Sequence, residues 1–206
     1  GQRNKRHVND NRITISYKMN TFRYKPPSDW LEGKSNQMFL GFCNMLSYID
    51  NFFNSRNDLK MIEIGSYMGE STSLFSSTGM FSEINCIEPF DHDQDCLDVL
   101  GHKNWDFVKR EYIINTRLFN NIKLYEDFSY NVSDRFDNDS FDFVYIDGNH
   151  DYESVMSDIK KYKPKLRKNS LIGGHDLDYD TVKNAVNEVF GKPDKTFTDF
   201  GWVKIV

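Results

Sequence analysis

The chain has 206 residues, enough for one domain with a sizeable core, or for one domain plus an arm. With 17 Phe, 11 Tyr and 3 Trp it is too aromatic to be disordered throughout. A net charge of −5 argues against a nucleic-acid partner, since phosphate binding wants a basic surface, and no apolar run approaches the roughly 20 residues that cross a bilayer.

Residues 1–35 read as a polar, basic arm, with eight Lys or Arg against Asp10, Asp29 and Glu32. Pro26-Pro27 breaks any regular element there. A surface-wrapping segment is expected, with a phosphate or substrate contact as the alternative. The first twenty residues are too polar for a secretory leader. Cys43, Cys86 and Cys96 are odd in number and lack metal-type spacing, so a cytoplasmic, reducing setting is expected, with Cys43 and Cys86 as small core residues.

The domain proper is expected over 36–206. Met38, Phe39, Phe42, Met45, Leu46, Ile49, Phe52 and Phe53 recur at steps of three and four, which predicts a helix over 36–53. Strand and helix signals then alternate. Strands are predicted at 60–64, 83–87, 122–125, 141–147 and 169–174. Helices are predicted near 70–79, 93–101, 105–118, 129–135, 151–163 and 179–190. Such alternation makes βαβ units and a mostly parallel sheet. Residues 195–198 and 202–206 read as two more strands, and the short link through Asp199, Phe200 and Gly201 forces that pair to be antiparallel. The expected fold is therefore α/β: a Rossmann-like, doubly wound, mostly parallel sheet of seven strands ending in an antiparallel hairpin.

Two stretches carry chemistry. The first, 61–72, reads MIEIGSYMGEST: an apolar strand, then Glu63-x-Gly65-x-x-x-Gly69, then small hydroxyl residues that can open a helix. Glycine lets the backbone turn tightly and approach a ligand where a side chain would collide. Glu88 closes the next apolar run, 84–87, and the pairing suggests a nucleoside pocket at the carboxyl ends of the strands. The plain alternative is an ordinary strand-to-helix turn. The three-glycine dinucleotide pattern is not met, which ranks a nicotinamide enzyme last.

The second stretch is 141–153, FDFVYIDGNHDYE, followed later by LIGGHDLD at 171–178. Both are strand ends, so the fold would bring Asp147, His150, His175 and Asp176 to the same edge as Gly65 and Glu88. Asp151 and Asp178 read as helix caps. A structural histidine bonded to a nearby carbonyl is the alternative for His175. Tyr67, Trp105, Tyr152 and Tyr179 read as packing or rim residues, with ligand stacking as the alternative. The segment 103–120 would form a lid or an oligomer contact.

Four segments in order, IEIGSYMGEST, CIEPFD, YIDGNHDYESVMSDI and LIGGHDL, resemble class I S-adenosylmethionine (SAM) dependent methyltransferases. The branch is that often called methyltransferase family 24, which includes macrocin-type sugar O-methyltransferases. The resemblance spans about 36–206. It implies SAM as cofactor, with Glu63, Gly65, Ser66 and Gly69 lining its methionine end and Glu88 accepting from both ribose hydroxyls. Asp127 and Phe128 would flank the adenine, and Asp147 would border the cofactor. Asp147, His175 and Asp176 occupy positions where metal-dependent relatives hold a divalent ion, Mg²⁺ or Mn²⁺. His150 matches a proposed general base, acting with Asp147. Relatives carry acids at both consecutive positions of the second metal segment, whereas here those positions are His175-Asp176 or Asp176-Leu177 depending on alignment, and imidazole suits Mn²⁺, Fe²⁺ or Zn²⁺ better than Mg²⁺.

The activity implied is methyl transfer from SAM to a hydroxyl of a small molecule or sugar, without a nucleic-acid or membrane partner, and with a homo-oligomer left open. Two other readings stay open: a metal-dependent hydrolase using Asp147, His150, His175 and Asp176, and a non-catalytic SAM-binding module.

Overall fold

A computed structural model of the protein describes residues 34–91 and 104–206. Most of the expected arm, the helix expected over 93–101, and Cys96 lie outside the described residues. The described chain begins with helix α1 (Lys34–Phe52), two residues earlier than its apolar pattern suggests. It continues through β1 (Leu59–Ile64), α2 (Glu70–Ser77), β2 (Phe81–Ile87), α3 (Trp105–Thr116), β3 (Ile122–Tyr125), the single-turn α4 (Ser129–Val132) and β4 (Phe141–Ile146). Then come α5 (Tyr152–Tyr162), β5 (Leu166–Gly174), α6 (Asp180–Phe190), β6 (Lys195–Thr196) and β7 (Trp202–Ile205).

The seven strands form one sheet in the order β3-β2-β1-β4-β5-β7-β6. The first five are parallel, and β7 runs antiparallel to both β5 and β6. All six residues of the central strand β4 are buried, as expected for a strand covered on both faces. From Phe143 onward its side chains alternate between two cores. Phe143 and Tyr145 join Met45, Ile49, Leu74, Phe75 and Val108, under α1, α2 and α3. Val144 and Ile146 join Ile62, Ile64, Val155, Ile159, Val182 and Val186, under α5 and α6. Cys86 lies in the first core and Cys43 packs against it. Each fully buried aliphatic side chain contributes about 1.5–3 kcal/mol, so the two layers hold the sheet between them.

From β1 the chain steps outward to β2 and β3, then returns to place β4 on the other side of β1. That reversal opens a crevice at the carboxyl ends of β1 and β4. Register decides what lines it. Ile64 pairs with Ile87 on one side and Ile146 on the other, and Ile146 pairs with Gly174. The residues that follow, Gly65, Glu88, Asp147 and His175, therefore emerge side by side. Because β7 is antiparallel, with Trp202 opposite Gly174, the turn before it reaches the same edge. No helix among the described residues is long and apolar enough to cross a membrane.

Candidate active site

The glycine turn is held from three directions. Gly65 has φ +83°, and a Cβ there would lie 2.1 Å from the Asp147 carbonyl oxygen, so only glycine fits between the ends of β1 and β4. Gly69, at φ +76°, precedes α2 and packs against Tyr112 and Thr116 of α3. Asn115 Nδ2 donates to the Met68 carbonyl at 3.0 Å, and Ser73 Oγ donates to the Asn115 carbonyl at 3.0 Å. The segment expected to be a lid or oligomer contact thus braces the loop from behind, while Ile113 and Leu118 of that segment stay exposed.

Glu63 is completely buried in the first core, beneath that loop. Burial raises its carboxyl pKa, and hydroxyl donors oppose the rise: Ser66 Oγ at 3.0 Å, Ser71 Oγ at 2.5 Å, and Thr72 Oγ1. Ser66 therefore turns its hydroxyl inward. Glu63 ties the end of β1 to the first turn of α2, which a buried acid can do only if its oxygens are satisfied.

Glu88 is 2% exposed, at the carboxyl end of β2. One carboxylate oxygen accepts from Tyr67 N at 2.9 Å and the other from Phe90 N at 3.1 Å. Tyr67 and Phe90 both have positive φ, 46° and 49°, and Tyr67 meets Trp105 edge to face. Backbone held in that region by its surroundings is typical of ligand sites. At the end of β2 lies a cavity of about 320 Å³, lined by Ile64, Gly65, Ile87, Pro89, Phe128 and Gly148 and by Glu153, Ser157 and Asp158 of α5. Phe128 thus stands beside the crevice, stacked on Tyr130 at 5.3 Å. Asp127 accepts from Phe128 N at 2.8 Å and Asn131 Nδ2 at 2.9 Å, so it organises the start of α4 and does not line the cavity.

The Asp and His residues assemble at the adjoining strand ends. Asp147, His175 and Asp176 each offer a ligand atom, all within 4.8 Å of one another. His175 Nδ1 is 3.1 Å from Asp176 Oδ1 and 4.0 Å from Asp147 Oδ1. His150 Nε2 is 2.9 Å from Asp176 Oδ2, and its ring lies 5.2 Å from that of Tyr179. Asp176 sits at φ +58°, in the left-handed region, which aims its carboxylate between the two imidazoles. His175 is thus bound to carboxylates rather than to a carbonyl.

The charges are strongly coupled. Burial lowers the His175 pKa, but the Asp176 hydrogen bond and the charges of Asp147, Asp176 and Asp199 outweigh it, bringing it to about 9. The hydrogen bond to Asp176 raises His150. Burial raises Asp147, with the neighbouring acids adding to the effect and the histidines opposing it. Burial would also raise Asp176, yet the two histidines hold it well below the usual carboxylate range.

Asp199 is a site residue that the sequence did not single out. It is 2% exposed, accepts from Gly201 N at 3.1 Å, and places Oδ2 4.0 Å from His175 Nε2. Its only local signal is an acid in a turn, and the antiparallel return of β7 is what carries it there. Other expectations divide. Asp151 caps α5 by accepting from Ser154 N at 2.8 Å. Asp178 does not cap α6, because the N-cap position falls on Tyr179 and carries no side-chain bond. Tyr152 is not at the crevice, since its hydroxyl donates to Glu188 at 2.5 Å and ties α5 to α6.

A parallel β3-β2-β1-β4-β5 sheet with antiparallel β7 set between β5 and β6, a glycine turn after β1 and an acid after β2, defines a class I methyltransferase fold. Residues 62–177, more than half of the chain, match the methyltransferase domain family, and the chain belongs to that family. It is similar in fold to CalS11, described as a calicheamicin methyltransferase and, in a ligand-free structure, as a TDP-rhamnose 3′-O-methyltransferase. The former structure gives a TM-score of 0.53 at 13% identity over 99% of this chain and 94% of that one. The latter gives 0.51 at 12% identity over 99% and 96%. A Haemonchus contortus phosphoethanolamine N-methyltransferase, solved with S-adenosylhomocysteine, gives 0.52 at 11% identity over 81% of this chain and 32% of its own. The chain spans 50% of the Bacillus subtilis YcgJ protein, at 14% identity, 66% of this chain and a TM-score of 0.45. No curated protein matches this chain in sequence.

Proposed function

We propose that the protein is a SAM-dependent O-methyltransferase whose acceptor is a hydroxyl of a small molecule or a sugar, working in the cytoplasm. The observation that carries this reading is one strand edge bearing the glycine turn, the buried Glu88 and the His150–Asp176 pair. The crevice residues fit SAM: Gly65 lets the chain turn at the cavity wall, and Glu88 offers carboxylate acceptors suited to ribose hydroxyls. Glu63 acts on the methionine end through the loop it braces, together with Ser66 and Gly69. Bound SAM would supply an electrophilic methyl on sulfur for the acceptor oxygen, with S-adenosylhomocysteine as the leaving group.

The protein's share is alignment and proton removal. Asp176 accepts from His150 Nε2, which leaves Nδ1 to take the acceptor's proton, as in other acid–imidazole pairs. The description of CalS11 as a TDP-rhamnose 3′-O-methyltransferase supports the choice of acceptor. Calorimetry tests the cofactor: the protein should bind SAM and S-adenosylhomocysteine with micromolar affinity. Glu88→Ala should weaken both by about 100-fold, because charged hydrogen bonds to two hydroxyls are lost. Failure of the wild type to bind either would overturn the reading and favour a metal-dependent hydrolase.

The mixed set Asp147, His175 and Asp176 fits a transition dication such as Mn²⁺ better than Mg²⁺, which prefers oxygen ligands in a strict octahedron. Held there, the ion would acidify an acceptor hydroxyl as a Lewis acid. Saturating Mn²⁺ should raise the melting temperature by about 5 °C, with a smaller shift for Mg²⁺, reversal by EDTA and no shift in His175→Ala. Equal curves with and without Mn²⁺ would remove the ion from the site.

A further inference from the structure

We propose that Asp158 reads the base of the cofactor, accepting a hydrogen bond from the exocyclic 6-amine of adenine, and thereby sets nucleoside specificity. The proposal rests on the SAM reading above. Asp158 lies on the inward face of α5, among Val155, Ile159 and Tyr162, and is 4% exposed. Of the α5 residues that line the 320 Å³ cavity, Glu153 is exposed, Ser154 and Ser157 are half-buried, and Asp158 is the buried one. Oδ1 accepts from Ser129 Oγ at 2.5 Å, and Ser129 is anchored in turn because Tyr162 Oη donates to its carbonyl at 2.6 Å. Nothing among the described residues bonds Oδ2. That oxygen is turned toward Gly148, where a Cβ would lie 3.9 Å from it.

Asp158 lines the cavity with Ser129 donating to Oδ1, so a ligand donor that reaches Oδ2 would complete the hydrogen bonding of the carboxylate. Ile87, Pro89 and Phe128 provide apolar walls for a flat ring, and Ile87 and Pro89 flank Glu88 in the chain. A purine entering this slot can offer Oδ2 a donor through a 6-amine. A 6-oxo purine would set oxygen against oxygen. Asp127 does not compete for the role, since its carboxylate is engaged at the start of α4 and lies outside the cavity wall. Burial pushes the Asp158 carboxyl up to about 6, so above neutral pH it is ionised and purely an acceptor.

The test is calorimetric titration of the whole chain with S-adenosylhomocysteine and with S-inosylhomocysteine, its 6-oxo counterpart. The wild type should favour the adenosyl ligand by about 100-fold. Asp158→Asn retains an acceptor for Ser129 and can turn an amide N–H toward a 6-oxo group, so the preference should narrow by about 10-fold or more. A merely structural Asp158 would weaken both ligands alike and leave the ratio unchanged, which would overturn the proposal. Equal wild-type affinity for the two ligands would overturn it too, without recourse to the variant. Wild type that binds neither ligand rejects the SAM reading itself, and this assignment falls with it. Adenosyl binding with an unaltered ratio in Asp158→Asn rejects only the role given to Asp158.

Discussion

Gly65→Ala is expected to abolish SAM binding and to destabilise the fold by about 3–5 kcal/mol. Two effects add. The residue sits at φ +83°, where an L side chain is strained, and its Cβ would lie 2.1 Å from the Asp147 carbonyl oxygen and 2.6 Å from Gly148 Cα. Both neighbours are backbone, pinned by Asp147 N donating to the Ile64 carbonyl at 2.8 Å and Gly65 N donating to the Ile87 carbonyl at 3.0 Å. Relief would require parting the ends of β1 and β4, the very crevice the cofactor needs. Gly79→Ala separates the two effects, since Gly79 has a similar φ of +73° but open space around it. It should lose only about 1 kcal/mol. Urea denaturation of both variants, with SAM titration, checks the pair. Equal losses would show that backbone strain alone matters at Gly65.

His150→Ala is expected to lower turnover by about 10²–10⁴-fold while leaving SAM affinity within about 2-fold. The side chain is 43% exposed, and its tie to the fold is the Asp176 contact together with the Tyr179 ring. The nearby Thr181 hydroxyl donates to the His150 backbone carbonyl at 2.6 Å, a bond that alanine keeps. The loss should therefore appear in the rate constant and not in folding or cofactor binding. Single-turnover rates with an acceptor that the wild type methylates, read beside calorimetry, decide it. Full activity in the variant would remove His150 as the base.

Much of this protein was legible in its sequence because the signals are local. The apolar runs at 61–64 and 141–146, bounded by glycine and acids, mark strands that must be buried on both faces. The three- and four-residue steps from Phe42 to Phe52 mark a helix lying on the sheet. A short link forces the terminal hairpin to be antiparallel. Parallel strands then put every strand-end acid on one edge, so Glu88, Asp147, His150, His175 and Asp176 could be gathered before any contact was known. Gly65 was legible too, since a strand that runs into glycine and then into a helix needs a turn only glycine takes easily.

Other features depend on which residues meet across the fold. Asp199 reads as a turn acid and becomes a partner of His175 only because β7 inserts between β5 and β6. Asp158 carries no sequence signal of its own, and its meaning comes from a cavity formed with the loop after β3. Glu63 reads as a ligand of the cofactor, whereas α2 folds back to seal it under three hydroxyls. The 103–120 segment reads as an accessory, yet Tyr112, Asn115 and Thr116 hold the glycine turn. Periodicity, turn chemistry and strand-end position act over a few residues, so the chain itself determined its elements and the edge where its acids collect. Burial, the pairing of charges and the closing of cavities act between residues tens of positions apart, and only strand order and helix packing bring those together.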